Sequence, residues 1–186
     1  MLSENNTLEG DGVAQGKRGK ALENTIDYTN SIYRSKRLAR IDKVPTPWNV
    51  QYDRKRGRVR NAFPQKKSTV DFVGISRGHF IGFDAKSTNN KTSFPLKNVE
   101  QHQVDFLHDI HIQGGIAFLL VEFAVHQEVY YIHYEEFCEW WVEQFRGGRK
   151  SIPLDWFREN CVRVTSSRGV PLDYLKAIGG SQHEAI

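Results

Sequence analysis

Residues 116–123, IAFLLVEF, constrain the fold of this chain more than any other segment. The run has strand length, carries one charge, and is too apolar to present a face to water, so it reads as a strand buried on both faces of a mixed sheet. The segments around it supply partners. STVDFVGIS and GHFIGFDAKS are two strand-like runs joined at Arg77 and Gly78, a hairpin signature. EVYYIHY reads as a further strand and YEEFCEWWVEQF as an aromatic amphipathic helix. Leu22, Ile26, Thr29 and Tyr33 recur at helical spacing within residues 17–35, and Val99, Gln103, Phe106, Leu107 and Ile110 share one face within residues 97–113, which Gly114 and Gly115 end. In LARIDKV, Ala39 and Ile41 alternate with Arg40 and Asp42 as a short strand. The C-terminal part holds a basic turn at 146–150, a weaker helix near 155–160, a strand at 161–165 and a short final segment at 172–178. This order predicts an α/β domain with a mixed central sheet flanked by helices.

One stretch does not belong to that pattern. VPTPWNVQYDRKRGRVRNAFPQKKST is bracketed by Pro45, Pro47 and Pro64, which a central strand or helix does not accommodate, and its middle turns at Gly57. It reads as an excursion, either a long loop or a two-stranded protrusion. Its charge stands out as well. Residues 34–67 hold twelve Lys or Arg against Asp42 and Asp53, a net of +10, and the chain total of +4 therefore leaves −6 for everything else. A basic segment concentrated on an acidic body points to a polyanionic partner held at one place. A solvated loop kept soluble by Lys and Arg is the plainer alternative.

The 186 residues suit one domain. Residues 1–16 lack apolar periodicity and are expected to be a disordered tail, with the domain at 17–180, its excursion at about 45–67, and a short tail at 181–186. No run reaches the roughly 20 apolar residues of a membrane span, and the polar N-terminus has no secretory core, so the expected location is the cytoplasm. With only Cys138 and Cys161, a disulfide framework is not expected.

The chemistry concentrates on the hairpin. Side chains alternate along a strand, so Asp84 and Lys86 point the same way, and the hairpin brings Asp71 alongside them. Carboxylates gathered among apolar residues are costly unless compensated, and a divalent cation would compensate them. Magnesium suits such a site, because it takes hard oxygen ligands and commonly binds through one or two carboxylates. It also polarises phosphates and acidifies bound water, as phosphodiester hydrolysis requires. Lys86 would then orient that water or stabilise charge developing on phosphorus. A surface ion pair between Asp84 and Lys86 would leave the same tripeptide. Gln103 lies on the apolar face of its helix, where a satisfied core glutamine and a ligand fit the pattern equally.

Asp71 followed by Asp84-x-Lys86 resembles the PD-(D/E)-x-K signature of the restriction-endonuclease-like nucleases, with Val70 in place of the proline. The longer strings GKALENTIDYTNSIY, VPTPWNV, STVDFVGI, FDAKSTNNKTSFPLKNVEQHQ, GGRKSI and VPLDYL resemble, in order, the blocks of the RecU Holliday junction resolvases, from about residue 19 to residue 175. That resemblance implies a restriction-endonuclease-like fold with a basic stalk inserted between the first two strands. It implies magnesium, with manganese as a substitute, bound by Thr69, Asp71, Asp84 and Gln103, with Lys86 as transition-state stabiliser and Glu23 as an additional acidic residue near the metal. Asp84 stands where the family usually has Glu. The resemblance further implies that Arg54, Lys55, Arg56, Arg58 and Arg60 of the stalk contact the centre of a four-way DNA junction, with Arg37, Arg40, Lys66 and Lys67 at its base nearer the scissile phosphates. Tyr52 and Phe63 are expected to pack against the stalk or to stack on unpaired bases. The expected assembly is a homodimer making paired symmetric nicks in homologous recombination and DNA repair, with recombinase or branch-migration proteins as further partners. Two other readings fit the residues: a related nuclease acting on duplex ends or flaps, and a junction-binding accessory protein that does not cleave.

Overall fold

A computed structural model of the chain describes residues 10–64 and 69–180. Its centre is a six-stranded sheet. Helix α1 (Gly10–Ser35) precedes the edge strand β1 (Arg40–Lys43). Two strands, β2 (Trp48–Asp53) and β3 (Arg58–Pro64), then pair with each other in a separate ribbon before the chain returns as β4 (Phe72–Ser76) and β5 (His79–Thr88). After β6 (Ser93–Pro95) come α2 (Gln101–Ile112), β7 (Ile116–Phe123), β8 (Glu128–His133) and α3 (Tyr134–Glu143). The chain ends in β9 (Ser151–Pro153), α4 (Leu154–Asn160), β10 (Val162–Val164) and α5 (Tyr174–Gly180). The main sheet runs β1-β4-β5-β7-β8-β10, and only β5 with β7 is parallel. This is the mixed, helix-flanked sheet expected of the fold class.

β7 is central because every residue in it but Glu122 is buried. Ala117, Leu119, Val121 and Phe123 join the core under α2, α3 and α4, whereas Ile116, Phe118 and Leu120 join the core under α1 and α5. On the α1 side, aromatic rings from successive strands stack: Phe72 on Phe83 at 5.0 Å, Phe83 on Phe118 at 4.6 Å, and Phe118 against Tyr131 at 4.7 Å. Offset rings at such spacing add to their area burial. Leu22, Ile26, Thr29 and Tyr33 are all buried along the inner face of α1.

The β4–β5 hairpin turns on Arg77 (φ 49°) and Gly78 (φ 86°), the two left-handed positions of a tight two-residue turn. At Gly74 the β1 backbone comes so near that a Cβ would lie 2.1 Å from the Arg40 carbonyl oxygen. Only a glycine lets the edge strand dock there.

Some boundaries differ from those expected. α1 starts at Gly10, so residues 10–16, expected to be a disordered tail, are helical; residues 1–9 and 181–186 lie outside the described residues. α2 starts at Gln101 rather than near residue 97, because Glu100 and Gln103 close a reciprocal capping box there. The β6–β9 pair was not anticipated. Its strands are three residues each and end in proline, too short for alternation to register.

Candidate active site

Asp71 immediately precedes β4 and Asp84 lies inside β5, and continuing the pairing of Phe72 with Phe83 by one residue places the two aspartates opposite each other on the hairpin. Oδ2 of Asp71 accepts a hydrogen bond from the backbone N–H of Ala85 at 3.3 Å, which aims its carboxylate at the second strand. Phe83 and Ala85 face the α1 core, so alternation turns Asp84 toward α2. There the side chain of Asp84 is fully buried. Nε2 of Gln103 donates to its Oδ1 at 2.7 Å. Nζ of Lys86 lies 2.7 Å from its Oδ2, an ion-pair distance without hydrogen-bond alignment, since Oδ2 has no hydrogen-bond partner. Asp71, Asp84, Lys86 and Gln103 therefore converge as the spacing and the resemblance implied.

Burial pushes the Asp84 carboxyl well above the usual carboxylate range. Lys86 opposes that shift and the facing Asp71 adds to it. Two carboxylates in this relation conflict until a cation joins them. The donors at hand are hard oxygens: the carboxylates of Asp71 and Asp84 and the hydroxyl of Thr69, while Gln103 turns its Nε2, not its oxygen, to Asp84. An under-satisfied buried carboxylate oxygen with such neighbours fits a magnesium site. Among the described residues no three of His, Cys, Asp and Glu gather, so a bound cation would rely on two carboxylates and neutral oxygens.

Gln103 does two things at once. It is the third residue of α2, where its Oε1 accepts from the Glu100 N–H at 3.0 Å while its Nε2 holds Asp84. Its amide is thus engaged at both ends, an arrangement that fixes the carboxylate.

On the solvent side of Asp71 lies a cleft of about 290 Å³ lined by Glu23, Lys43, Thr69 and Asp71, with Pro45 and Pro47 at its rim. Val44 N–H donates to the Asp71 carbonyl at 2.8 Å, which ties the end of β1 to the site. Glu23, the additional acidic candidate, does face this cleft, where it forms an ion pair with Lys43. Lys43 was counted in the basic segment but given no place. Ile41 is buried toward α1, so the residue two further on must point the same way, and that alternation was the available signal. The Asp71, Glu23 and Asp27 carboxylates and the hydrogen bond from Lys43 to Glu23 hold the Lys43 ammonium above its ordinary pKa, the hydrogen bond being the largest cause.

The basic residues divide into two groups. Arg54, Lys55 and Arg56 form the turn of the β2–β3 ribbon with Gly57 (φ 61°), and Arg58 and Arg60 follow on β3, Arg60 at the bulge. Asp53 builds that turn: its Oδ1 accepts from the N–H groups of Lys55 (3.0 Å) and Arg56 (3.2 Å). The five cations are exposed, and so are Tyr52 at 60% and Phe63 at 48%, which corrects the expectation that these rings pack against the ribbon. Arg37 and Arg40 are not beside the carboxylates. Arg40 pairs with Ile75 at the turn end of β4, whereas Lys43 pairs with Phe72 at the cleft end. Arg40 also shares Asp42 with Arg34, at 2.5 and 2.6 Å. The resemblance implied a place at the base of the stalk nearer the scissile phosphates; antiparallel pairing puts Arg40 at the other end of its strand. Lys66 and Lys67 lie outside the described residues.

Comparison with known proteins adds to this geometry. The family model described as Recombination protein U matches residues 17–180. A protein named Holliday junction resolvase RecU from Levilactobacillus brevis is 38% identical over 167 residues, covering 88% of this chain and 83% of the relative. Proteins of the same name from Staphylococcus aureus strains JH9 and COL are 38% identical over 170 residues, covering 89% of this chain and 82% of theirs.

Proposed function

This chain belongs to the Recombination protein U family, and on that premise we propose that it is a magnesium-dependent, structure-selective endodeoxyribonuclease that resolves Holliday junctions during recombination and repair. The observation that carries the reading is the meeting of Asp71, Asp84 and Lys86 at one point of the hairpin, with Gln103 holding Asp84 from behind.

Asp71 and Asp84 are the proposed metal-holding carboxylates, with Thr69 as a neutral oxygen donor and manganese as a substitute for magnesium; Gln103 would join them only by turning its Oε1 from the Glu100 N–H toward the ion. The ion, when bound, supplies Lewis acidity toward the scissile phosphate and an acidified water. The rest is the work of the chain. Lys86, 17% exposed and held against Asp84, places a fixed positive charge where the phosphorus centre gains negative charge. Lys43, anchored by Glu23, puts a second cation on the open side of Asp71, suited to a DNA phosphate entering the cleft. The ribbon offers Arg54, Lys55, Arg56, Arg58 and Arg60 to backbones crowded at a crossover. Phosphate contacts of that kind select shape over base sequence.

Symmetric resolution needs two such sites facing opposed strands, so the working unit is a homodimer with two-fold symmetry. The test is cleavage of a mobile four-way junction in magnesium. Asp71→Ala and Lys86→Ala each reduce cleavage by about 10³-fold or more while junction binding survives. Cleavage at the wild-type rate by both variants contradicts the assignment.

A further inference from the structure

The basic turn at 146–150 stands out in the sequence by its charge, yet it takes no part in the site described above. Its backbone is held in one place. After the short turn that follows α3 (Gln144–Arg146), Gly147 adopts a left-handed φ of 90°. The Gly148 N–H then donates to the Glu143 carbonyl at 2.9 Å, so close that a Cβ on Gly148 would lie 2.8 Å from that oxygen. On its other side the Lys150 carbonyl accepts from the Leu96 N–H at 3.0 Å, which extends the β6–β9 pairing by one residue. Arg149 and Lys150 therefore sit on a fixed knuckle, with Lys97, the residue after Leu96, beside them. All three are exposed, and among the described residues no carboxylate pairs with any of them. The acids nearest in sequence are engaged elsewhere: Glu143 with Arg146 at 3.1 Å, and Glu100 in the α2 capping box and 3.3 Å from His102.

Two connections place this knuckle near the carboxylates. Lys86 shares the α2 side of β5 with Asp84 and pairs with Val121, which belongs to the core that Phe94 of β6 and Ile152 of β9 also enter. The β6–β9 pair thus covers the same face of the sheet as Lys86. Lys97 also precedes Gln103, which bonds Asp84, by six residues, so the two are at most about 20 Å apart. Cations then flank the candidate site on both sides: Lys43 in the cleft toward α1, and Lys97, Arg149 and Lys150 toward α2. Exposed Lys and Arg on a rigid backbone, with no acid to neutralise them, suit phosphate oxygens and carry no base preference. We propose that the Arg149–Lys150 turn, with Lys97, is a second DNA-backbone site, holding the strand on the α2 side of the scissile phosphate while Lys43 holds it on the α1 side. The proposal rests on the nuclease reading above.

Its test is equilibrium binding of a labelled four-way junction and of a linear duplex to the full chain, without divalent metal, across a range of salt. Arg149→Gln combined with Lys150→Gln weakens binding to both DNAs roughly tenfold near about 100 mM salt and lowers the salt slope by about one to two, with unchanged melting temperature. Lys97→Gln alone lowers the slope by about one. Arg149→Lys combined with Lys150→Arg keeps the charges and stays within about twofold of wild type. Arg158→Gln combined with Arg163→Gln removes two charges that lie against Glu128, at 3.3 and 3.8 Å, and leaves affinity and slope as in wild type. Neutral methylphosphonates placed singly along the cleaved strand locate the contact: beside the cut, wild type loses affinity where the Arg149→Gln, Lys150→Gln variant loses none. Wild-type affinity and slope in that variant, or an equal loss in the Arg158→Gln, Arg163→Gln variant, overturn the proposal. So does a methylphosphonate profile identical in wild type and variant, since the turn would then face an acidic protein partner rather than DNA. Wild-type protein that cuts duplex as readily as junction defeats the functional reading, while duplex binding by the variant still decides this site. Junction resolution with an unaffected variant defeats only the turn.

Discussion

Asp84 concentrates the electrostatic conflict of the candidate site. A fully buried carboxylate beside a second carboxylate costs stability, and the single Gln103 hydrogen bond and the Lys86 charge offset it only in part. Because its folded pKa is raised, the metal-free protein loses stability as pH climbs from the ordinary carboxylate value of 3.8 toward the raised one, and then levels off. Asp84→Asn keeps the shape and removes the charge. Thermal melting near pH 8 without metal should therefore find the variant at least as stable as wild type. Magnesium at about ten times its Kd should raise the wild-type melting temperature by roughly 3–5 °C and leave the variant unmoved. Equal shifts in both, or none in wild type, contradict the metal assignment without reference to activity. Asp71, Asp84 and Lys86 were legible in the sequence because strand alternation alone decides which side chains share a side. The meeting of Glu23 with Lys43 was not, since it depends on how an edge strand docks under a helix. Gln103 was ambiguous for a related reason: its two hydrogen bonds reach one local partner and one residue nineteen positions away.

Among the elements, the β2–β3 ribbon is the one whose composition does not serve the core. Trp48, Val50, Tyr52, Val59 and Phe63 are all exposed, and its two strands form a sheet separate from the main one. Its local order comes from the Asp53 turn and from the Tyr52 hydroxyl donating to the Gly57 carbonyl at 2.8 Å. Replacing Arg54, Lys55 and Arg56 with Ala should leave the melting temperature within about 2 °C, because exposed charges contribute little to folding. Junction affinity in the same variant should fall by roughly tenfold or more, and each lost phosphate contact should lower its salt slope by about one. A collapse in melting temperature would instead assign the ribbon to the fold. The excursion was visible from its prolines and its charge. Its pairing register was not, because a bulge between Gln51 and Tyr52 breaks the alternation.

For the whole molecule, the decisive feature is the distribution of charge over the sheet. The paired carboxylates Asp71 and Asp84 occupy one end, and the +10 segment that composition isolated is divided between the end of α1 and the turn after it, β1, the ribbon and residues outside those described. Sequence arithmetic located the excess but not its direction, because antiparallel pairing sends neighbours in the chain to opposite ends of a strand. No helix among the described residues is long and apolar enough to cross a membrane. On the proposed reading these parts act together on a branched substrate. Its most direct test is a single incubation in magnesium of the wild-type chain with equal amounts of a mobile four-way junction and a linear duplex of the same sequence. The predicted result is conversion of the junction into two nicked duplexes through opposed cuts, with the linear duplex intact; equal cutting of both, or binding of the junction with no cut, would contradict it.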